Sequence, residues 1–224
     1  MGREVPDHLN LGCGLTAPAG WLNVDGSPQV ILARRPWLKR LLVATRVMSQ
    51  KQAEIPWSPD IMRLDLTRPL PFPDGHFAAV YSSHLLEHLY HDQALSLLKE
   101  CHRVLRRGSI CRAVVPDLEA LATRYLREKA AADSGAGNRL MESLLVHDKG
   151  PGRGVLALYY RMTAFHQHKW MYDAASLRQL FEAAGFRSVR QAGYLEGHIE
   201  RIAEVEDPGR ILKGEGLAVE GTKE

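Results

Sequence analysis

The chain is poor in cysteine, with three in 224 residues: Cys13, Cys101 and Cys111. An odd number with no Cys-x-x-Cys pair excludes a disulfide framework and a zinc ribbon, so all three are expected as free thiols in a reducing compartment. Long apolar runs are missing too. The longest, 155–160, is far short of a bilayer span, and residues 1–9 carry no apolar segment of the secretory kind. A cytoplasmic location is the expectation. Neither sign of charge dominates, and the formal net charge of +3 permits an anionic substrate without demanding nucleic acid. No appended basic domain or aromatic stacking platform is visible, which argues against a nucleic-acid partner. There is no internal repeat.

What the chain does have is enough apolar residue, 45%, to bury one substantial core. Short, near-continuous apolar runs at 9–11, 21–24, 61–64, 78–81 and 110–115 read as parallel strands covered on both faces. Three- and four-residue apolar steps predict a helix over 85–105 and another over 175–184 that Gly185 closes. Strands that alternate with helices imply a single-domain α/β fold with a doubly wound sheet. The last two strands, near 188–194 and 217–219, are expected to pair antiparallel at one edge.

The segment HLNLGCG, 8–14, is followed after six residues by WLNVDGSP, 21–28. Gly12 and Gly14 can adopt positive φ and let a ligand approach the backbone, and Asp25 ends the next strand, where a carboxylate can accept from a ribose diol. Gly12, Gly14 and Ala17 also satisfy the G-x-G-x-x-G/A pattern of NAD sites. The spacing argues against that ligand. In the dinucleotide pattern the acid lies about 20 residues past the glycines, whereas Asp25 comes much sooner and Pro18 and Gly20 spoil the helix that would cradle a pyrophosphate.

LNLGCG, then LPFPD at 70–74, then the S-x-H-x-x-E-H stretch at 82–88 occur here in an order that resembles the class I S-adenosylmethionine-dependent methyltransferases. The nearest likeness is to the small bacterial type-11-like, saccharide-associated group. The likeness continues through 98–121 and 168–186 and ends on GLAVEGTK, which looks like the last strand of that Rossmann-like seven-stranded sheet. It skips 31–59 and 129–165, Arg106 to Ser109 stand where a K-P-G-G turn is usual, and Thr16 replaces a third glycine. The resemblance implies S-adenosylmethionine as cofactor. Gly12, Cys13 and Gly14, with Leu11 before them also at the cofactor, would face its methionine part, Asp25 the ribose hydroxyls, and Asp65 with Leu66 the adenine edge. Ser82 and Ser83 would stand at the strand end beside it. Asp65 can equally be a turn acid before Thr67 and Pro69.

His84, Glu87 and His88 share one face if a helix begins near Ser83. Imidazole and carboxylate at that spacing can grip a divalent metal; they can also be a core histidine and a first-turn acid. Ubiquinone-pathway O-methyltransferases and small-RNA 2′-O-methyltransferases carry E-x-x-E-H here for a magnesium-type metal. In this chain His84 replaces the first acid, and histidine is a softer ligand than magnesium prefers. The RNA enzymes add a histidine from a later loop, where this chain offers His147, His166 and His168. Two mechanisms are therefore open. Either Mg2+ or another divalent metal is held by His84, Glu87, His88 and His168, or a metal-free site uses His84, His147 or His166 as general base. Both suit a hydroxyl acceptor, which is a poor nucleophile until its proton is removed.

Two insertions complete the reading. Residues 34–50 form a basic amphipathic helix with Trp37, Leu38, Leu41, Leu42 and Met48 on one side and Arg34, Arg35, Lys39, Arg40 and Arg46 largely on the other. Such a helix can lie on a membrane surface, cover the cofactor as a lid, or bury its stripe. The second, 129–165, occupies the place of an acceptor-side lid, and its Arg139, Arg153, Tyr159, Tyr160 and Arg161 suit a polar acceptor. The expected function is O-methylation of a saccharide or glycan-precursor hydroxyl. A small phenolic or natural-product acceptor and a non-catalytic nucleoside-binding scaffold are the alternatives, and a homodimer remains open.

Overall fold

The computed structural model describes residues 6–145, 167–212 and 216–224. Its strands are β1 (His8–Leu11), β2 (Leu22–Asp25), β3 (Met62–Arg63), β4 (Phe77–Ser83), β5 (Leu105–Pro116), β6 (Arg187–Ala192) and β7 (Gly216–Thr222). The helices are α1 (Gln29–Ala33), α2 (Pro36–Ala44), α3 (Gln50–Ala53), α4 (His91–Val104), α5 (Leu118–Ala130), α6 (Ala136–Leu144), α7 (Ala174–Ala183) and α8 (Pro208–Ile211). One sheet of seven strands runs in the order β3-β2-β1-β4-β5-β7-β6. The first five are mutually parallel, and β7 is antiparallel to both β5 and β6. This is the α/β, doubly wound, Rossmann-like arrangement expected from the alternation of strands and helices.

The near-continuous apolar strands are central for the expected reason: β1 is buried throughout and β4 almost so. One face packs against α4 and α7 through Leu97, Leu98, Cys101, Leu177 and Phe181. The other lies under the segment after β6, where Ile199 and Val205 meet Trp21, Tyr81 and Val114. Order reverses between β1 and β4, and in such sheets a ligand crevice opens at the strands' carboxyl ends at that point. Two buried asparagines stabilise that corner. Asn10 Nδ2 donates to Asn23 Oδ1 and to the Thr16 carbonyl, both at 2.9 Å, and Asn23 Nδ2 donates to the carbonyls of Pro18 and Trp21.

The single helix expected over 85–105 is in fact a 3-10 turn, Leu86–His88, followed by α4. His84 sits at φ +53°, and Leu89 and Tyr90 are extended, so the apolar period survives across a break in the backbone. The Tyr90 N–H donates to Gln93 Oε1 at 3.2 Å where α4 starts afresh. Likewise, the basic stretch 34–50 is no single helix: α2 ends at Ala44, Arg46 takes φ +56°, and Ser49 caps α3. The Arg106 to Ser109 segment lies within β5, where Gly108 at φ +77° donates its N–H to the Lys223 carbonyl. All three cysteines are free and buried.

Candidate active site

A crevice of about 430 Å³ opens at the strand ends, lined by the Gly12 turn, 25–28 after β2, 63–67 after β3, and His84, Leu85, His88 and Leu89 after β4. Of the residues singled out from sequence, Gly12, Asp25, Asp65, Leu66, His84 and His88 line it. Gly12 holds φ +64°, and a Cβ there would meet the Leu85 side chain at 3.2 Å. Strain in the left-handed region and this contact together predict that Gly12→Ala lowers cofactor affinity several-fold, by about 1–2 kcal/mol, read by calorimetry. Unchanged affinity would remove Gly12 from the cofactor cradle.

Asp25 does more than face the crevice. Its Oδ2 accepts from the Gly14 N–H at 2.9 Å and its Oδ1 from the Ser27 N–H at 2.7 Å, so one carboxylate holds the glycine turn and the turn after β2. Each oxygen keeps a second lone pair for a diol. Asp65 lies in a turn of its own making, accepting from Thr67 N and Oγ1 and from Arg68 Nε. The Thr67 hydroxyl, opposed by slight burial, holds its carboxyl below the usual range.

Several expected cofactor contacts face elsewhere. Cys13 packs with Val30 and Ile61, and burial pushes its thiol up to about 12. Leu11, Ser82 and Ser83 are buried, and Ser83 is engaged by Arg210, whose Nη1 donates to its Oγ at 3.0 Å and its carbonyl at 3.2 Å. Gly14 contributes through its N–H to Asp25 rather than to the lining. No residue of 34–50 lines the crevice. His147 and His166 lie outside the described residues, as do Arg153, Tyr159, Tyr160 and Arg161. Arg139 is committed to Glu128 and Asp133.

The histidine and glutamate cluster forms, but by a different route from a shared helical face. The backbone N–H groups of Lys169 and Trp170 both donate to the Glu87 carbonyl, and Lys169 Nζ donates to the His88 carbonyl at 2.9 Å. This docks 167–170 on the 3-10 turn and brings His168 beside it. One ligand atom each from Glu87, His88 and His168 then lies within 4.8 Å of the others. His84 is not part of that group. It sits at φ +53°, with Nδ1 3.2 Å from Glu87 Oε1.

The electrostatics of the cluster are unusual. Glu87 is 0% exposed, and among the described residues neither carboxylate oxygen has a hydrogen-bond partner. His84 Nε2, His168 Nδ1 and the Tyr172 hydroxyl are also buried and unpartnered. A buried charge without hydrogen bonds costs several kcal/mol, and native structures rarely leave one so. Burial, opposed by Glu87, lowers the His168 ring below the ordinary imidazole range. The His88 Nδ1 lies 3.2 Å from the Gln167 carbonyl, which can only accept, so that nitrogen carries the proton and Nε2 keeps its lone pair. One carboxylate and two imidazoles, with one imidazole fixed by a carbonyl behind it, have the chemistry of a divalent-metal site.

Residues 9–113 match the family described as "Methyltransferase domain". Among solved structures, the chain resembles a SAM-dependent methyltransferase from Archaeoglobus fulgidus at 16% identity and a TM-score of 0.51, covering 99% of this chain and 87% of that one. It also resembles a Thermotoga maritima protein described as a SAM-dependent methyltransferase and possible histamine N-methyltransferase. Identity there is 17% and the TM-score 0.50, over 97% and 82% of the two chains. At such identities the likeness is one of fold. No curated relative matches the chain.

Proposed function

We propose that this chain, a class I S-adenosylmethionine-dependent methyltransferase, methylates a hydroxyl oxygen of a saccharide or glycan precursor with help from a divalent metal held by Glu87, His88 and His168. The enzyme class rests on the methyltransferase-domain match over 9–113 together with the seven-stranded sheet. The observation that carries the chemistry is the wholly buried Glu87 carboxylate, without a hydrogen-bond partner among the described residues and grouped with the His88 and His168 imidazoles.

S-adenosylmethionine supplies an electrophilic sulfonium methyl. Gly12 lets the backbone approach it, Asp25 offers acceptor lone pairs to the ribose, and Asp65 with Leu66 would lie along the adenine. The acceptor hydroxyl must give up its proton as its oxygen takes the methyl. A metal on Glu87, His88 and His168 would lower the pKa of a bound hydroxyl. Two imidazoles favour a zinc-, iron- or manganese-like ion over magnesium, which prefers oxygen ligands. A metal-free reading has one observation of its own: His84 lines the crevice with Glu87 behind its Nδ1, an arrangement that suits a general base.

Asp25→Ala is expected to weaken cofactor binding by about 1–3 kcal/mol, since the turn loses its anchor and the ribose its acceptor. Asp65→Ala should cost less, because that carboxylate already serves its own turn. Calorimetry decides both, and wild-type affinity in the two variants would contradict this assignment of the crevice. The acceptor class is tested with methyl-labelled cofactor and panels of saccharides, phenols and amines. Label on a saccharide oxygen is expected. Transfer only to amine nitrogen would overturn the proposal.

A further inference from the structure

Residues 26–53 contain no acid between Asp25 and Glu54, yet they carry Arg34, Arg35, Lys39, Arg40, Arg46 and Lys51. Arg34 donates to the carbonyls of Pro59 and Ile61. Arg35, Arg40, Arg46 and Lys51 stay exposed. On α2 no residue is buried, and Trp37 and Leu41, one turn apart, are 64% and 51% exposed. Other large apolar side chains, such as Leu126 and Leu212, are exposed as well, but on α2 a tryptophan and a leucine stand one turn apart among cations, the composition of an interaction surface.

We infer that α2 is a docking surface for an anionic membrane, with Trp37 and Leu41 entering the headgroup boundary and the surrounding cations meeting lipid phosphates. Charge complementarity selects this occupant. An uninterrupted cationic stretch fits an anionic surface, whereas a second copy of this chain would set the same cations against each other in a two-fold contact. An amphipathic helix of this length binds through its exposed apolar residues and through anionic lipid together, so neither alone suffices. No described helix is long and apolar enough to cross a membrane, so contact would be at the surface. Because α1 follows Ser27 and Pro28 at the crevice rim and α2 packs on α1, docking would hold the crevice close to the lipid.

The test uses the whole chain with sedimented vesicles of phosphatidylcholine alone, or of phosphatidylcholine with one third phosphatidylglycerol. Binding to the anionic vesicles is expected, weakened by salt. Trp37→Ser/Leu41→Ser and, separately, Arg40→Glu should each reduce it by about tenfold or more. Both variants change exposed positions, and retained cofactor affinity confirms that they fold. Equal binding to both vesicle types would overturn the inference. So would unchanged binding by the variants, or a dimer in sedimentation that the same substitutions dissolve while vesicles stay unbound. None of these readouts uses methyl transfer, so the inference stands or falls apart from the proposed reaction.

Discussion

Glu87→Gln is expected to reduce turnover on the order of 10²–10⁴-fold while leaving cofactor affinity and folding intact. The asymmetry follows from the carboxylate's surroundings. Both oxygens are buried and, among the described residues, without hydrogen bonds, with the His84 Nδ1 3.2 Å from one of them. A neutral amide therefore removes an unpaid desolvation cost in the metal-free protein while it takes an anionic ligand from the metal. Thermal midpoints measured in chelator should be no lower in the variant than in wild type. A residue that merely holds the 3-10 turn in place would behave differently, since that turn is pinned through the Glu87 carbonyl, which the substitution keeps. A fallen midpoint with full activity would assign Glu87 to structure.

Arg112→Met is expected to cost about 3–5 kcal/mol of stability, because it strips the counter-charge from two buried carboxylates. Arg112 is wholly buried in β5. Its Nε and Nη2 grip Glu206 at 2.7 and 3.0 Å, Nη1 reaches Glu220 at 2.9 Å, and the remaining donors meet the carbonyls of Glu196 and Gly193. Glu206 also accepts from the Leu195 N–H, and Glu220 from Arg190. The guanidinium thus fastens the whole segment after β6 over the sheet, and with it the approach of Arg210 to Ser83. For a chain of this size the thermal midpoint should fall by roughly 6–20 °C. Cleavage of 193–206 by protease should appear well below that temperature. A midpoint within error of wild type would mean that the network is not the fastener.

The parts of the fold that could be read from sequence are those where one physical signal dominates. β1, β4 and the second half of β5 are buried and show it as short, mostly apolar runs, and Asp25 announces itself by following a glycine turn and ending a strand. The break between His84 and His91 is invisible because the apolar period runs on through it: the backbone turns at His84 and extends at Leu89 without any proline or glycine to mark it. That one break explains why His84 leaves the ligand group while Glu87 and His88 stay. Ser82 and Ser83 were expected at a strand end and are there, but β4 carries their side chains into protein, where Arg210 meets Ser83. Arg112 amid ICRAVVP looks like an isolated charge in a core strand, since its carboxylate partners lie 94 and 108 residues on. His168 stands in the ligand set expected from sequence, but only through the resemblance to enzymes that add a later histidine. Its selection comes from the Lys169 and Trp170 N–H bonds to Glu87, which no spacing rule announces.

The metal is most directly tested by methyl transfer to the best saccharide acceptor of the panel, measured on chelated protein and again after a divalent ion is restored, with cofactor affinity followed in parallel. The expected result is loss of transfer in chelator, recovery with a zinc-, iron- or manganese-type ion, and cofactor binding that does not change. Full transfer in chelator by a protein shown to be metal-free, abolished by His84→Ala, would contradict the metal site and leave the histidine base in its place.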